Sequence, residues 1–186
     1  QDLITVNEIE DLSIFTFGVD GANQQLLTLI ASQNNGLAEF IDSGVLLEVI
    51  SNFYLIIQNP VLLNIDMIFS PDIVFEAYPN PLPNLFKGHQ LIVVGRYDTP
   101  GMKTVNVGGT AFGQNISYDY NLELSAELQS DLQFLPRLWA KKKIDNLRIQ
   151  YYSEEPGSTL SDDLYDSIVD MSLCYGVVSS FTSLQD

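Results

Sequence analysis

Between Ser13 and Gly36 the chain reads SIFTFGVDGANQQLLTLIASQNNG: an apolar strand, a tight Gly-containing turn, then apolar residues recurring at helical spacing. This is one strand-helix unit of an open α/β sheet. Such a unit is apolar on its strand faces and along one helix stripe, and it cannot bury those surfaces by itself. The cover must come from the rest of the chain or from another polypeptide.

A second helix is expected next, capped by Asp42 or Ser43, with Val45, Leu46, Val49, Ile50, Phe53 and Ile57 at helical spacing and Pro60 as its stop. From Val61 the pattern turns to strands: VLLNIDMIF, then a segment around Ile73 to Tyr78. The three prolines of YPNPLPNLF preclude helix or central strand, which leaves a loop with apolar anchors. QLIVVGRY, Gln90 to Tyr97, predicts an apolar strand opened by His89, and Thr99-Pro100-Gly101 a turn into KTVNV. In NISYDYNLEL, Ile116, Tyr118, Tyr120, Leu122 and Leu124 alternate with polar residues, which predicts one buried and one wet face. Strands of this type with short turns suggest an antiparallel β-sandwich.

The last third reads as helical. FLPRLWAKKKIDNLRIQYY carries Leu138, Trp139, Ile144, Leu147 and Tyr151, with Pro136 where a first turn tolerates it. After the Pro156-Gly157 break, Ser161 is placed to cap a helix with Asp162 and Asp163 in its first turn. Leu164, Ile168, Met171 and Tyr175 form its apolar stripe, and Gly176 its stop. The expected class is α+β: a partial α/β sheet over residues 1–58, a β-sandwich over 59–130, and a helical hairpin packed on it over 131–186.

The chain has 186 residues, 46% of them hydrophobic, enough to bury a core. Its apolar runs fall short of the roughly 20 residues a membrane span needs, so no membrane insertion is expected. No signal-peptide pattern opens the sequence, so a leader is expected to be absent or already removed. With 24 acidic against 8 basic residues the net charge is −16, and the only basic run is Lys141-Lys142-Lys143. Such a surface lacks the cations that release counterions from a polyanion, which argues against nucleic acid as a partner.

No catalytic constellation stands out. The single His89 reads as a surface or packing residue at a strand edge, and one His with one Cys excludes a Cys/His zinc site. Cys174 has no intramolecular disulfide partner and lies in an apolar helical stretch, where an inert core thiol is expected. Gly108-Gly109 reads as a turn or bulge. Asp162, Asp166 and Asp170 share a helix line beside Asp163, but helix-spaced carboxylates lack the wrapped loop of a calcium site, and a solvated acidic face is the better reading. Asn115-Ile116-Ser117 is an N-glycosylation sequon on the polar face of the alternating strand.

In order, these stretches resemble the C-terminal half of the inter-alpha-trypsin inhibitor heavy-chain family, where a von Willebrand factor type A domain precedes a β-sandwich and helical region. FTFGVDGANQQLLTLIASQNNGLAEFI resembles the last strand-helix-strand of the A domain, and GVLLEVISNFYLIIQNPVLLNIDMIF its final helix running onward. PLPNLFKGHQLIVVGRY, FLPRLWAKKKI and LCYGVVSSFTSL are similar to family stretches in the same order. The family's metal site uses an Asp-x-Ser-x-Ser loop after the first A-domain strand. That loop does not occur here, and Asp11-Leu12-Ser13-Ile14-Phe15 breaks it at the last position. No metal ligand or cofactor is therefore assigned within this chain; a divalent cation would require upstream residues.

The resemblance implies a non-enzymatic, extracellular or cell-surface scaffold, adhesion or matrix segment. Its expected partners are another protein, an upstream half of the same precursor, or a second copy. The family's glycosaminoglycan attachment uses an Asp-Pro that Asp98-Thr99-Pro100 does not match, so cross-linking does not carry over. The alternatives are part of a metal-dependent receptor whose metal site lies upstream, and an enzyme subunit or intracellular relative of the fold.

Overall fold

The computed structural model describes residues 12–41, 46–127 and 130–182. Among them lie four α-helices and eight strands in an α+β arrangement. The opening unit forms as its sequence dictates: β1 (Thr16–Val19), α1 (Gln24–Gln33) and β2 (Ala38–Ile41). Asn23 caps α1, its side-chain oxygen accepting from the Leu26 N–H at 3.0 Å. β1 and β2 pair in parallel, from Thr16 opposite Ala38 to Val19 opposite Ile41; parallel strands need a crossover of this kind. α2 (Leu46–Ile57) follows, and Pro60 opens β3 (Pro60–Ser70). The α2 cap expected at Asp42 or Ser43 lies outside the described residues.

The remaining strands are β4 (Val74–Tyr78), β5 (Leu85–Phe86), β6 (Val94–Tyr97), β7 (Gly101–Ala111) and β8 (Gln114–Leu124). One sheet has the order β5-β3-β7-β8, and β4 pairs with β6 in a separate antiparallel ribbon. A short 3-10 turn, Ser130–Leu132, precedes α3 (Leu135–Ser153) and α4 (Thr159–Tyr175). Trp139 at the start of α3 packs edge-on to Tyr175 at the end of α4, while Tyr151 near the end of α3 meets Tyr165. The two helices are thus an antiparallel pair.

Several local expectations change. The strand over Gln90–Tyr97 begins only at Val94, and the backbone N–H of His89 closes a turn onto the Phe86 carbonyl at 3.0 Å. The ladder runs out at Tyr78 opposite Val94, because Pro79 cannot continue it on the β4 side. Gly108-Gly109 is no turn but the interior of β7: a Cβ at Gly108 would lie 2.3 Å from Asp66 Oδ1, so glycine lets that carboxylate cross the strand. The α4 cap is Ser158, three residues before the expected Ser161; its Oγ accepts from the Ser161 N–H at 3.1 Å, and Ser161 is buried. The alternation of β8 is present, yet Tyr118 and Tyr120 are 54% and 53% exposed. β8 lies at one edge of its sheet, with β7 its one neighbour among the described residues.

Contacts divide the chain into two compact units. The first comprises Gln1–Asp66, Pro83–Leu91 and Gly108–Ser117. Its core holds Ala31, Ile41, Phe53, Leu62, Ile65 and Phe86, with Phe15 edge-on to both Phe53 and Phe86 at 5.6 and 5.8 Å. The proline-rich loop is tied in by buried Asn84, which accepts from the Asn64 N–H at 2.8 Å and donates to the Asn35 carbonyl at 3.1 Å. The second comprises Met67–Leu82, Ile92–Val107 and Tyr118–Asp186, with Trp139, Ala140, Ile144, Leu164 and Ile168 at its centre.

Candidate functional site

In the first unit the open sheet is the chemically consequential feature. A parallel sheet is normally covered on both faces, yet among the described residues β1 and β2 pair only with each other, and Val19 and Phe40 remain exposed. α2 turns Phe53 inward, where it meets Phe17 at 4.8 Å, and leaves Leu47, Tyr54 and Leu55 81%, 62% and 58% exposed. Helical geometry explains this: the stripe through Phe53 is used, and the opposite face of the same helix is equally apolar. At the carboxyl ends of β1 and β2, where open α/β sheets bind ligands, lies a pocket of about 160 Å³ lined by Gly18, Val19, Asp20, Gly21, Phe40 and Ile41 among others. Asp20 is the one carboxylate in it, far from the six or more oxygens calcium takes. Among the described residues no group of three His, Cys, Asp or Glu side chains could hold a metal ion.

Asn115 is exposed on β8, one residue past the Phe112-Gly113 turn and Gln114. Both turn residues have positive φ, 52° and 74°, the geometry of a two-residue hairpin whose twist matches its strands. The Asn115 side-chain oxygen accepts from Thr110 Oγ1 at 3.2 Å, one rung of a polar ladder continued by Asn106 donating to Asp119 at 2.7 Å. His89 is exposed, as are Asp162, Asp163, Asp166 and Asp170 along α4. Cys174 is exposed too, contrary to the core thiol expected. The buried stripe of α4 runs through Ser161, Leu164, Ile168 and Ser172, which turns position 174 away from it. Asp11 of the incomplete metal-loop pattern lies outside the described residues.

The second unit holds a charged and aromatic cluster that the sequence did not mark out. Glu76, at φ 48° beside an irregularity in the β4–β6 register, is its hub. Lys143 donates to one carboxylate oxygen, and Arg96 Nη1 donates to the other at 3.2 Å. The Trp139 Nε1–H donates to the Glu76 carbonyl at 3.0 Å, and its ring lies 5.3 Å from the Arg96 guanidinium and 5.1 Å from the Lys143 ammonium. The hydrogen bond from Lys143, opposed by partial burial and aided by Arg96, holds the Glu76 carboxyl below its ordinary 4.5. Burial pushes the nearby Tyr78 phenol up. Each cation–π contact contributes roughly 0.5–2 kcal/mol, so the cluster clamps α3 onto β4 and β6. The signal for it was divided between a lone strand glutamate and a helical Trp and Lys, more than 60 residues apart.

Inter-alpha-trypsin inhibitor heavy chain H4 of Homo sapiens is 31% identical to this sequence over 179 residues, 90% of the chain and 19% of the relative. Heavy chain H2 of Sus scrofa is 24% identical over 99% of the chain, and heavy chain 4 of Mus musculus 27% over 96%. Over most of its length this sequence is similar to inter-alpha-trypsin inhibitor heavy chains. The heavy chain-like segment spans about a fifth of the length of the curated relatives it matches. No family model matches it. Among its described residues no helix is long and apolar enough to cross a membrane.

Proposed function

We propose that this heavy chain-like segment is a non-enzymatic, extracellular scaffold or adhesion element that works by assembling with other polypeptide. The observation that carries the proposal is that among the described residues β1 and β2 pair only with each other, with apolar side chains of β2 and α2 left facing solvent. In this reading residues 1–58 are the closing part of a von Willebrand factor A-type sheet. Residues 59–130 are a sandwich domain, and residues 131–186 a helical hairpin on it. The cover for the open sheet is an upstream stretch of the same precursor, another protein, or a second copy. The relatives are named as heavy chains of an inhibitor, one chain among others, which supports the same view. N-glycosylation at Asn115 belongs to this proposal, supported by the exposure of the sequon at a hairpin end.

Sedimentation velocity across a concentration series is the test. The isolated chain is expected to self-associate or aggregate, and Leu47→Glu with Leu55→Glu to reduce this. A chain that stays monomeric up to about 100 µM, with residues 12–57 unfolding cooperatively, would overturn the reading. Hydrolase screening should give no turnover; reproducible turnover abolished by one point substitution would equally overturn it.

A further inference from the structure

Within the second unit a groove of about 480 Å³ runs beside β6. Val93, Val94, Gly95, Arg96 and Tyr97 all line one side of it. Side chains of a strand alternate between faces. A groove over one face would meet every second residue, so five in succession mean that the groove lies along the strand's edge. β6 has β4 as its one neighbour among the described residues, which leaves that edge without a ladder partner. The opposite wall is apolar and aromatic: Leu135, Pro136 and Trp139 of α3, and Tyr175 of α4. Trp139 is positioned there by its hydrogen bond to the Glu76 carbonyl and by Tyr175 edge-on at 5.6 Å.

Unpaired backbone along one wall and pockets for side chains along the other is the arrangement by which a sheet edge takes up an extended peptide as an added strand. Four residue steps from Val93 to Tyr97, at roughly 3.3 Å each, give a seat about 13 Å long. Among the described residues Arg96 is the one charged residue lining it. Its side chain is 54% exposed, and its hydrogen bond to Glu76 engages one of five N–H donors. Charge complementarity therefore selects a carboxylate on the occupant, on the face that Arg96 shares.

We propose that this groove binds an extended segment of a partner protein, apolar at alternate positions and carrying an acidic residue over Arg96, as a third strand on β6. The site is separate from the open β1–β2 sheet, and it stands or falls independently of it.

Trp139 is the chain's only tryptophan, so its emission reports directly on the groove. The full chain is titrated with the blocked heptapeptide Thr-Val-Thr-Asp-Thr-Val-Thr, whose Val and Asp side chains share one face. A saturable change in Trp139 emission is expected, together with slowed amide hydrogen exchange within residues 93–97. A strand pairs through every second residue, so N-methylation of one alternate set of peptide amides should weaken binding at least 10-fold and methylation of the other set hardly at all. Replacing the peptide Asp by Lys should weaken binding about 5-fold or more, and Arg96→Gln should erase that preference while leaving the N-methyl pattern intact. The proposal is overturned if the two methylated peptides bind alike, if protection falls outside residues 93–97, or if nothing saturates below about 1 mM. An emission change on raising chain concentration without peptide would make a second copy the occupant, which also overturns it.

Discussion

Glu76 shows how one side chain can organise a unit without leaving a trace in sequence pattern. Its lowered pKa means the folded state favours the carboxylate, so the stabilisation is present above the ordinary carboxyl pKa of 4.5 and is lost as pH falls through the lower folded value. Glu76→Gln should therefore lower stability near pH 7 by about 1 kcal/mol or less, as for a partly exposed ion pair. The difference from the parent chain should shrink as pH drops from 5 towards 3, and chemical denaturation at pH 7, 5 and 3 measures it; a difference independent of pH would deny the ion pairing. Asn115 makes a different claim, about modification. Chain secreted from eukaryotic cells should carry a glycan at Asn115, and Asn115→Gln should remove that mass in an intact-protein spectrum. Bare Asn115 in such material would remove the site from the proposed function.

β7 and α4 show which local signals were readable and which were not. The strand-helix-strand opening, the Pro60 junction, the two C-terminal helices and the Gly176 stop follow from periodicity and turn chemistry, which act over a few residues. Gly108 does not: its reason is Asp66, on a strand more than 40 residues away, pressed against the place a Cβ would occupy. Gly108→Ala is expected to destabilise the chain by about 1–3 kcal/mol, the range for forced overpacking. Adding Asp66→Ala should recover part of that loss, a coupling that a double-mutant cycle of denaturant midpoints reads directly. On α4, Ser158→Ala should cost about 1 kcal/mol as loss of a helix cap. Choosing Ser158 over Ser161 required knowing where the chain turns out of the Pro156-Gly157 break, which both serines fit by type. The Glu76–Lys143–Arg96–Trp139 cluster was illegible for the same reason as Gly108: its members come from three elements, and no short-range pattern joins them.

The molecule as a whole carries opposing signals about solubility and assembly. A net charge of −16 opposes non-specific association, while Leu47, Tyr54 and Leu55 on α2 form the kind of exposed apolar face that marks an interaction surface. The two can be separated by salt, because screening weakens charge repulsion beyond about 8–10 Å near physiological ionic strength and leaves apolar burial intact. If α2 covers another polypeptide through its outward face, self-association of the isolated chain should increase from 20 to 500 mM NaCl. Leu47→Glu with Leu55→Glu should flatten that dependence. Both positions are solvent-facing, so each substitution should change unfolding free energy by no more than about 0.5 kcal/mol, whereas Phe53→Ala, in the buried ring cluster of the first unit, should cost about 3–5 kcal/mol. Association lost with stability kept is the signature of an interface. If the double substitution instead destabilised the chain as strongly as Phe53→Ala, the outward face of α2 would be part of the folded core, and the open sheet would not be where this chain meets its partner.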